Sequence, residues 1–236
     1  VASEGYPKTL QLMASAVGLK NLSIVSQGGY GLAESIDRDW SFLADQVSKI
    51  RPEYKGPSLT HTQYRIDTAL AAVYGFLKTG NSLLCEYDDK GNCTEMQLND
   101  PVNYVRYHLV SLLEKMKREQ YKEPLNTLIL GCTHYPYMRD TIAQVLQELY
   151  DYKEGSGYRY RKVLSKKVCL IDPAVETAKE AYLSLRQLNS VAAKENPLHS
   201  KSRQDAFFIA VPNLDLPDLK LQSDGWFTYE YKYGRN

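Results

Sequence analysis

The residues best suited to chemistry stand together in one short string, Gly131-Cys132-Thr133-His134-Tyr135-Pro136. The apolar run Leu128-Ile129-Leu130 precedes it and an amphipathic segment follows, which predicts a strand, a tight turn and a helix. Such a turn lies at the carboxyl end of a strand, where α/β proteins commonly bind ligands, and the adjoining helix N-terminus stabilises a thiolate. His134 can supply or hold a proton two residues from Cys132. The spacing therefore indicates thiol chemistry, with a buried structural cysteine as the alternative.

The same string, extended back to Leu130, resembles the second catalytic motif of the glutamate racemases, within the aspartate/glutamate racemase family. The His-Tyr-Pro ending favours the glutamate branch over the aspartate branch. The resemblance implies an α/β fold of two lobes, with parallel sheets flanked by helices and an amino-acid substrate held between the lobes without a cofactor. It also implies that one thiolate removes the Cα proton while a second thiol protonates the opposite face, since inversion needs acid and base on opposite sides.

Five positions take site roles from this resemblance. Cys132 would be the thiol of the second lobe, His134 its acid–base assistant, and Thr133 a ligand of the substrate's α-carboxylate. Ser3 matches the family segment in which Gly-Thr-Val is followed by Ser and then Tyr, which makes it a substrate-binding candidate. Glu34 lies at about the distance after a glycine-rich loop at which the family carries a substrate-site acid, with a solvated carboxylate at a helix start as the alternative.

The first-lobe motifs of the family do not occur in this sequence. Its Asp-Ser turn and its Cys-Asn-Thr string are both missing, and the nearest string, Gly91-Asn92-Cys93-Thr94, has a different order. We therefore expect a C-terminal portion with an incomplete first lobe, whose partner is a missing N-terminal lobe of the same protein. Residues 1–160 would form the second lobe, and residues 161–236 would return to the first lobe and end in an aromatic tail. Alone, the chain should racemise poorly, because stereoinversion needs groups on both faces of Cα.

Residues from about 51 to 100 are predicted to be an insertion relative to the family, with a helix and a β-hairpin of its own. The hairpin is predicted over residues 82–98 from the turn string Asp88-Asp89-Lys90-Gly91-Asn92 and its apolar flanks. A lid, a dimer contact and a decoration without a chemical role all remain open for this segment. Cys85 and Cys93 flank the turn, so a disulfide is geometrically feasible, but an intracellular enzyme favours free thiols and we expect Cys93 to be a surface thiol.

Hydrophobic periodicity and turn residues predict the remaining elements. Helices are predicted over residues 6–17, 39–50, 66–77, 101–117, 141–150 and 174–188, with Asp100 as the N-cap of the fourth. Strands are predicted over residues 22–25, 125–130, 168–171 and 207–211, and Cys169 is expected to be a core residue. Loops are predicted over residues 51–62 and 153–161.

Composition narrows the range of partners. The chain has 236 residues, of which 43% are hydrophobic and 24% charged, and its net charge of +1 gives no reason to expect nucleic acid or a membrane surface. No apolar run approaches the roughly 18 residues that span a bilayer, and the four cysteines lack metal-site spacing. We expect a cytoplasmic protein without a metal. The aromatic tail would pack against either the absent lobe or a second subunit of a homodimer.

Three functions are compatible with these patterns. The first is cofactor-independent interconversion of L- and D-glutamate, which by resemblance would supply D-glutamate for bacterial peptidoglycan. The second is racemisation of aspartate, a hydantoin or a related substrate. The third is a binding or regulatory protein that has the racemase fold but lacks two-base chemistry.

Overall fold

The computed structural model describes residues 5–19, 22–187, 215, 219–221, 223, 225, 227 and 228. The chain divides into two compact units, Val1–Ala178 and Lys179–Asn236. The described helices are α1 (Gly5–Ala16), α2 (Leu32–Ile36), α3 (Ala71–Tyr74), α4 (Pro101–Arg118), α5 (Arg139–Tyr150) and α6 (Pro173–Gln187), with 3-10 helices at Thr68–Leu70 and Tyr135–Met138. The described strands are β1 (Leu83–Tyr87), β2 (Cys93–Leu98), β3 (Leu125–Ile129), β4 (Lys153–Glu154), β5 (Gly157–Tyr158) and β6 (Leu164–Ile171).

Helix α4 is the hydrophobic centre of the first unit, and its predicted start is confirmed. Asp100 accepts a hydrogen bond from Val102 N at 2.8 Å, and Pro101 suits the first turn because a first-turn N–H has no intrahelical partner to lose. Helices α2, α3 and α5 pack against α4. Its buried apolar side chains are Tyr104, Val105, Tyr107, Leu109, Val110, Leu112, Leu113 and Met116. Each fully buried aliphatic side chain of this kind stabilises the fold by about 1.5–3 kcal/mol.

Strands β3 and β6 form a parallel pair, with Thr127 opposite Cys169 and Ile129 opposite Ile171. Helix α5 packs against β6. Within the described residues no further strand pairs with β3 or β6, and Cys169 is exposed. The expectation that Cys169 is a core residue is therefore wrong, because the side chains that a wider, doubly covered parallel sheet would bury stay exposed on this pair. The architecture is mixed α/β, with a parallel sheet flanked by helices.

The helix predicted over residues 39–50 does not form, because side chains from the end of β2 bind the backbone of this segment. Ala44 N donates to Asn99 Oδ1 at 2.8 Å, and Arg51 N donates to Gln97 Oε1 at 2.9 Å. The amide of Asn99 in turn donates to Ala44 O at 2.8 Å. These tertiary bonds occupy donors and acceptors that a helix would pair internally, so the segment folds as a series of turns.

Two further predicted elements differ from the structure. Residues 22–25 form no strand; the adjoining Ser26 carbonyl accepts a hydrogen bond from Lys115 Nζ at 3.0 Å, so this stretch is bound to α4 and not to a sheet. The helix predicted over residues 66–77 is reduced to the short 3-10 helix and α3, which Gly75 ends at a φ of 57°. A glycine accepts this left-handed conformation without a steric penalty and commonly terminates helices.

The predicted hairpin is confirmed as an antiparallel pair of β1 and β2. Its register shifts between Glu86 and Tyr87, so that Tyr87 lies opposite Cys93. Cys85 and Cys93 form a disulfide, with their Cα atoms 5.6 Å apart. The expectation of free thiols, including Cys93 as a surface thiol, is therefore wrong, because the hairpin brings the two Cα atoms to a separation that a disulfide spans.

Residues 153–161 are not the plain loop that was predicted. They contain the two-residue strands β4 and β5, and Tyr160 at their end is fully buried. Tyr160 Oη donates to Glu114 Oε1 at 2.6 Å, and Arg159 Nε donates to the same oxygen at 2.8 Å. An aromatic ring with a hydrogen-bonded hydroxyl can be buried at little polar cost, which is why this polar sequence packs against α4.

In the second unit, Leu221 and Phe227 form an isolated antiparallel bridge. The strand predicted over residues 207–211 lies outside the described residues. The helices predicted over residues 6–17, 101–117 and 141–150 and the strands over 125–130 and 168–171 are confirmed, and the helix over 174–188 is confirmed as far as Gln187. Among the described helices, none has the length and apolar character that crossing a membrane requires.

Candidate functional site

The predicted strand, turn and helix around Cys132 are confirmed. Strand β3 ends at Ile129, residues 131–134 form the turn, and the 3-10 helix Tyr135–Met138 runs directly into α5. Leu130 N donates to Ile171 O at 2.9 Å, so the carboxyl ends of both parallel strands meet beside this turn. The carboxyl edge of a parallel sheet is where α/β proteins place ligand-binding groups.

A chain of three side chains begins at the thiol in this turn. Cys132 Sγ lies 3.5 Å from His134 Nδ1, and His134 Nε2 lies 3.1 Å from Asp37 Oδ2. A carboxylate accepts hydrogen bonds and donates none, so the Asp37 contact assigns the imidazole proton to Nε2. Nδ1 of the neutral ring then presents its lone pair to the Cys132 thiol. A thiol, an imidazole and a carboxylate in this order can move a proton from sulfur to nitrogen while the carboxylate stabilises the resulting imidazolium.

The side chains of Cys132, His134 and Asp37 are called the relay below. Asp37 is the member of the relay that the sequence did not predict. It follows α2 as its C-terminal cap, three residues after Glu34, and comes to His134 from 97 positions away in sequence. Two carboxylates one helical turn apart, just after the glycine-rich loop, were a signal that could have included it. The side chain of Asp37 is 49% exposed and that of His134 is 31% exposed, so the relay reaches solvent at its carboxylate end.

Tyr135 interacts electrostatically with both Cys132 and Glu34. Burial, and to a smaller extent electrostatic interaction with Cys132 and Glu34, raises the pKa of Tyr135 to about 12. The hydroxyl of Tyr135 donates to Gly29 O at 3.4 Å. The structure therefore brings Glu34, which is partly buried in α2, into the same neighbourhood as the thiol, although the described residues include no hydrogen bond to the Glu34 carboxylate.

The glycine-rich loop of residues 26–31 packs tightly against these groups. A Cβ at Gly29 would overlap the hydroxyl of Tyr135. Gly31 has a φ of 79°, and a Cβ there would lie 2.7 Å from the ring of Tyr104. Only glycine combines this left-handed conformation with so close an approach. His108 Nε2 donates to Tyr30 O at 2.9 Å and fixes the same loop to α4.

The other predicted site residues are less constrained. Thr133 is exposed in the turn beside Cys132, and no hydrogen bond of its side chain is found within the described residues. Ser3 lies outside the described residues. No cluster of three or more His, Cys, Asp or Glu side chains with metal-binding geometry is present in the described part of the chain.

Comparison with known proteins gives one partial similarity. No family model matches the chain, and no solved structure matches it. A glutamate racemase of Desulforudis audaxviator (strain MP104C) is 38% identical over 71 residues, which are 28% of this chain and 19% of that protein. The chain thus spans about a fifth of the length of that relative. The similarity suggests a relationship to the racemases over roughly a quarter of this chain.

Proposed function

We propose that this chain carries one acid–base side of a cofactor-independent amino-acid racemase that interconverts L- and D-glutamate. The observation that carries the proposal is the chain Cys132–His134–Asp37 at the carboxyl edge of the β3–β6 pair. The partial similarity to a glutamate racemase supports the same assignment. The cellular role that follows is the supply of D-glutamate for bacterial peptidoglycan, in the cytoplasm.

The proposed reaction begins when the Cys132 thiol gives its proton to His134 Nδ1. The resulting thiolate removes the proton from Cα of the substrate, which leaves a carbanion stabilised by the neighbouring carboxyl group and restores the thiol. The imidazolium is held by the Asp37 carboxylate and can release its extra proton to water. These steps account for one face of Cα, since an acid on the opposite face must deliver the second proton.

We propose that the acid on the opposite face is a second thiol, which belongs to a first lobe of the same protein. The sequence has one motif of the Gly-Cys-Thr-His type and no Cys-Asn-Thr string. Of the other cysteines, Cys85 and Cys93 are joined to each other, and Cys169 lies on β6 opposite Thr127. Thr133, Ser3 and Glu34 are proposed to bind the substrate, and a homodimer through the aromatic tail is a further proposal.

Deuterium exchange tests this proposal. L-glutamate and D-glutamate are incubated separately with the chain in D2O, and the Cα–H signal is followed by proton NMR. We expect one enantiomer to lose its Cα–H signal without forming the other enantiomer. Cys132→Ala should abolish the exchange, and Cys169→Ala is the matched control that should leave it unchanged, because Cys169 is a free, exposed thiol that does not belong to the Cys132–His134–Asp37 chain.

Asp37→Asn tests the relay. An amide at this position can donate to His134 Nε2 and so reverse the imidazole tautomer, which turns Nδ1 away from accepting the thiol proton. The analogous substitution in a serine-protease triad costs on the order of 10⁴ in kcat, and we expect at least about a tenfold loss of exchange here.

Exchange that persists in Cys132→Ala would refute the proposal. Full interconversion of the enantiomers by this chain alone would refute the one-sided mechanism, and glutamate binding without exchange would indicate a binding protein.

A further inference from the structure

We propose that His61 and Tyr64, in the inserted segment of residues 51–100, are positioning residues for the candidate site. They hold Tyr30, and through it the glycine-rich loop and the helix α2 that leads to Asp37. The inference rests on the proposed role of Asp37 at His134. By this inference, the inserted segment helps to position the candidate site and is not a decoration remote from the chemistry.

The rings of His61 and Tyr64 together form an aromatic clamp on the ring of Tyr30. The ring of Tyr64 stacks on that of Tyr30, with centroids 4.1 Å apart and planes 7° from parallel. His61 packs edge-on against both rings, with centroid distances of 5.6 Å to Tyr30 and 5.2 Å to Tyr64. Phe42 closes the cluster with an edge contact to Tyr30 at 5.6 Å. Aromatic pairs of these geometries are attractive beyond the area that they bury.

The inserted turn of residues 58–65 is built to hold these two rings. His61 Nδ1 accepts hydrogen bonds from Tyr64 N at 3.0 Å and from Gln63 N at 3.1 Å, which fixes the imidazole as the neutral Nε2–H tautomer. Ser58 Oγ accepts from His61 N at 3.1 Å. Glu95, on β2, accepts from Leu59 N at 3.0 Å and ties the turn to the hairpin. The backbone of the turn is therefore fixed by side chains of the same inserted segment.

A displacement of Tyr30 would also displace α2. Leu32 N donates to Gly29 O at 3.0 Å and Ser35 N donates to Gly31 O at 2.9 Å, so the residues on either side of Tyr30 begin the hydrogen-bond ladder of the helix. At the other end of α2, Asp37 N donates to Ala33 O at 3.0 Å as part of the C-terminal cap. A helix of five residues has few bonds of its own, so its position depends on how the preceding loop is held as well as on its packing against α4.

Helix α4 and the cysteine turn hold the same loop from two other sides. His108 Nε2 binds Tyr30 O, Lys115 Nζ binds Ser26 O at 3.0 Å, and the hydroxyl of Tyr135 binds Gly29 O. The aromatic clamp is the contribution of the inserted segment. Its removal should loosen α2 without unfolding the protein, because the contacts to α4 and to Tyr135 remain.

The reactivity of Cys132 reports the position of Asp37 without any substrate. The native chain is alkylated with iodoacetamide across a range of pH, and the rate at each cysteine is read from its peptide by mass spectrometry. Cys169 is the internal control, since it is free and exposed and lies outside the relay. Cys85 and Cys93, as a disulfide, do not react. Asp37→Asn defines the pH–rate profile of a thiol whose imidazole has lost its carboxylate.

We expect Tyr64→Ala to shift the Cys132 profile toward that of Asp37→Asn, with about a tenfold lower rate near pH 6.5, while Cys169 is unchanged. Tyr64→Phe keeps the stacked ring and should restore the wild-type profile within about twofold. Phe76→Ala is the matched control: it removes a ring stacked on Tyr74 at 4.7 Å in the same inserted segment, and it should leave the profile unchanged.

A Tyr64→Ala protein with a lower unfolding temperature and a wild-type Cys132 profile would overturn the inference, because Tyr64 would then be merely structural. The same conclusion follows if Asp37→Asn has the wild-type profile, since there would be no carboxylate to position. If Tyr64→Ala does not fold, His61→Phe keeps a ring but removes the Nδ1 acceptor, and it must shift the profile in the same direction. Failure of glutamate exchange with an intact alkylation series would count against the proposed substrate and leave the clamp standing.

Discussion

Acidification should destabilise this protein through one buried imidazole. His108 is 6% exposed on α4 and donates from Nε2 to Tyr30 O at 2.9 Å, while its buried Nδ1 has no hydrogen-bond partner among the described residues. Burial lowers the pKa of His108 to about 4, and the bond to Tyr30 offsets a smaller part of that shift. The neutral ring is therefore the form that the folded protein accommodates.

The sign and size of the effect follow from linkage. The unfolded chain protonates this group near pH 6.5 and the folded chain near pH 4, so between these values the unfolded state binds more protons. Stability is complete above about pH 6.5 and is lost as the pH falls toward 4. The 2.5-unit difference between the two pKa values corresponds to about 3 kcal/mol at about 1.36 kcal/mol per unit. That is a large share of the ~5–15 kcal/mol that stabilises a typical domain.

Urea unfolding at pH 7.5 and at pH 4 measures this loss, with His108→Gln as the matched variant. Glutamine keeps an N–H donor for Tyr30 O and does not titrate, whereas every carboxylate of the protein titrates equally in both proteins. Between the two pH values, the wild type should lose about 3 kcal/mol more free energy of unfolding than the variant. Equal losses in the two proteins would refute the reasoning and mean that His108 is protonated in the fold without penalty.

Two further predictions concern stability. Gly31→Ala should cost about 3 kcal/mol, since it adds a left-handed alanine and an overlap with the Tyr104 ring at 2.7 Å; Gly18→Ala, at a similar φ of +80° but with open space around it, should cost about 1 kcal/mol. Equal unfolding temperatures for the two variants would contradict the packing of the glycine-rich loop. Reduction of the Cys85–Cys93 disulfide, which closes a loop of sequence separation 8, should lower the free energy of unfolding by about 2–3 kcal/mol. The Cys85→Ala/Cys93→Ala protein should be insensitive to the reductant, and a wild type equally insensitive would argue against the bridge.

Elements with strong local signals were predictable from the sequence. The Asp100-Pro101 start and the long apolar face of α4 are encoded within a single segment, and the hairpin follows from the turn residues between two β-prone runs. The strand and turn around Cys132 belong to the same class. In each case the residues that decide the conformation are neighbours in sequence, so tertiary contacts did not need to be known.

The failures share a different physical cause. Residues 39–50 have the periodicity of a helix, but Asn99 and Gln97 bind their backbone from more than 40 positions away. Cys169 has the sequence context of a core strand residue, and its burial depends on whether another layer covers the sheet. The roles of Asp37 and Tyr64 likewise depend on partners that are distant in sequence, His134 and Tyr30. A single sequence carries no record of such pairings.

The exposure of the relay decides what the exchange experiment can detect. If the proton taken from Cα stayed enclosed on Cys132, it would return to the same carbon and no deuterium would enter the substrate. His134 and Asp37 are partly open to solvent, at 31% and 49% of their side-chain surfaces, so a proton passed to the imidazole can be replaced by deuterium from water. Imidazole and carboxylate exchange protons with solvent far faster than a carbon acid ionises. A one-sided thiol base with this relay should therefore label its substrate at Cα even where no acid on the opposite face completes the inversion.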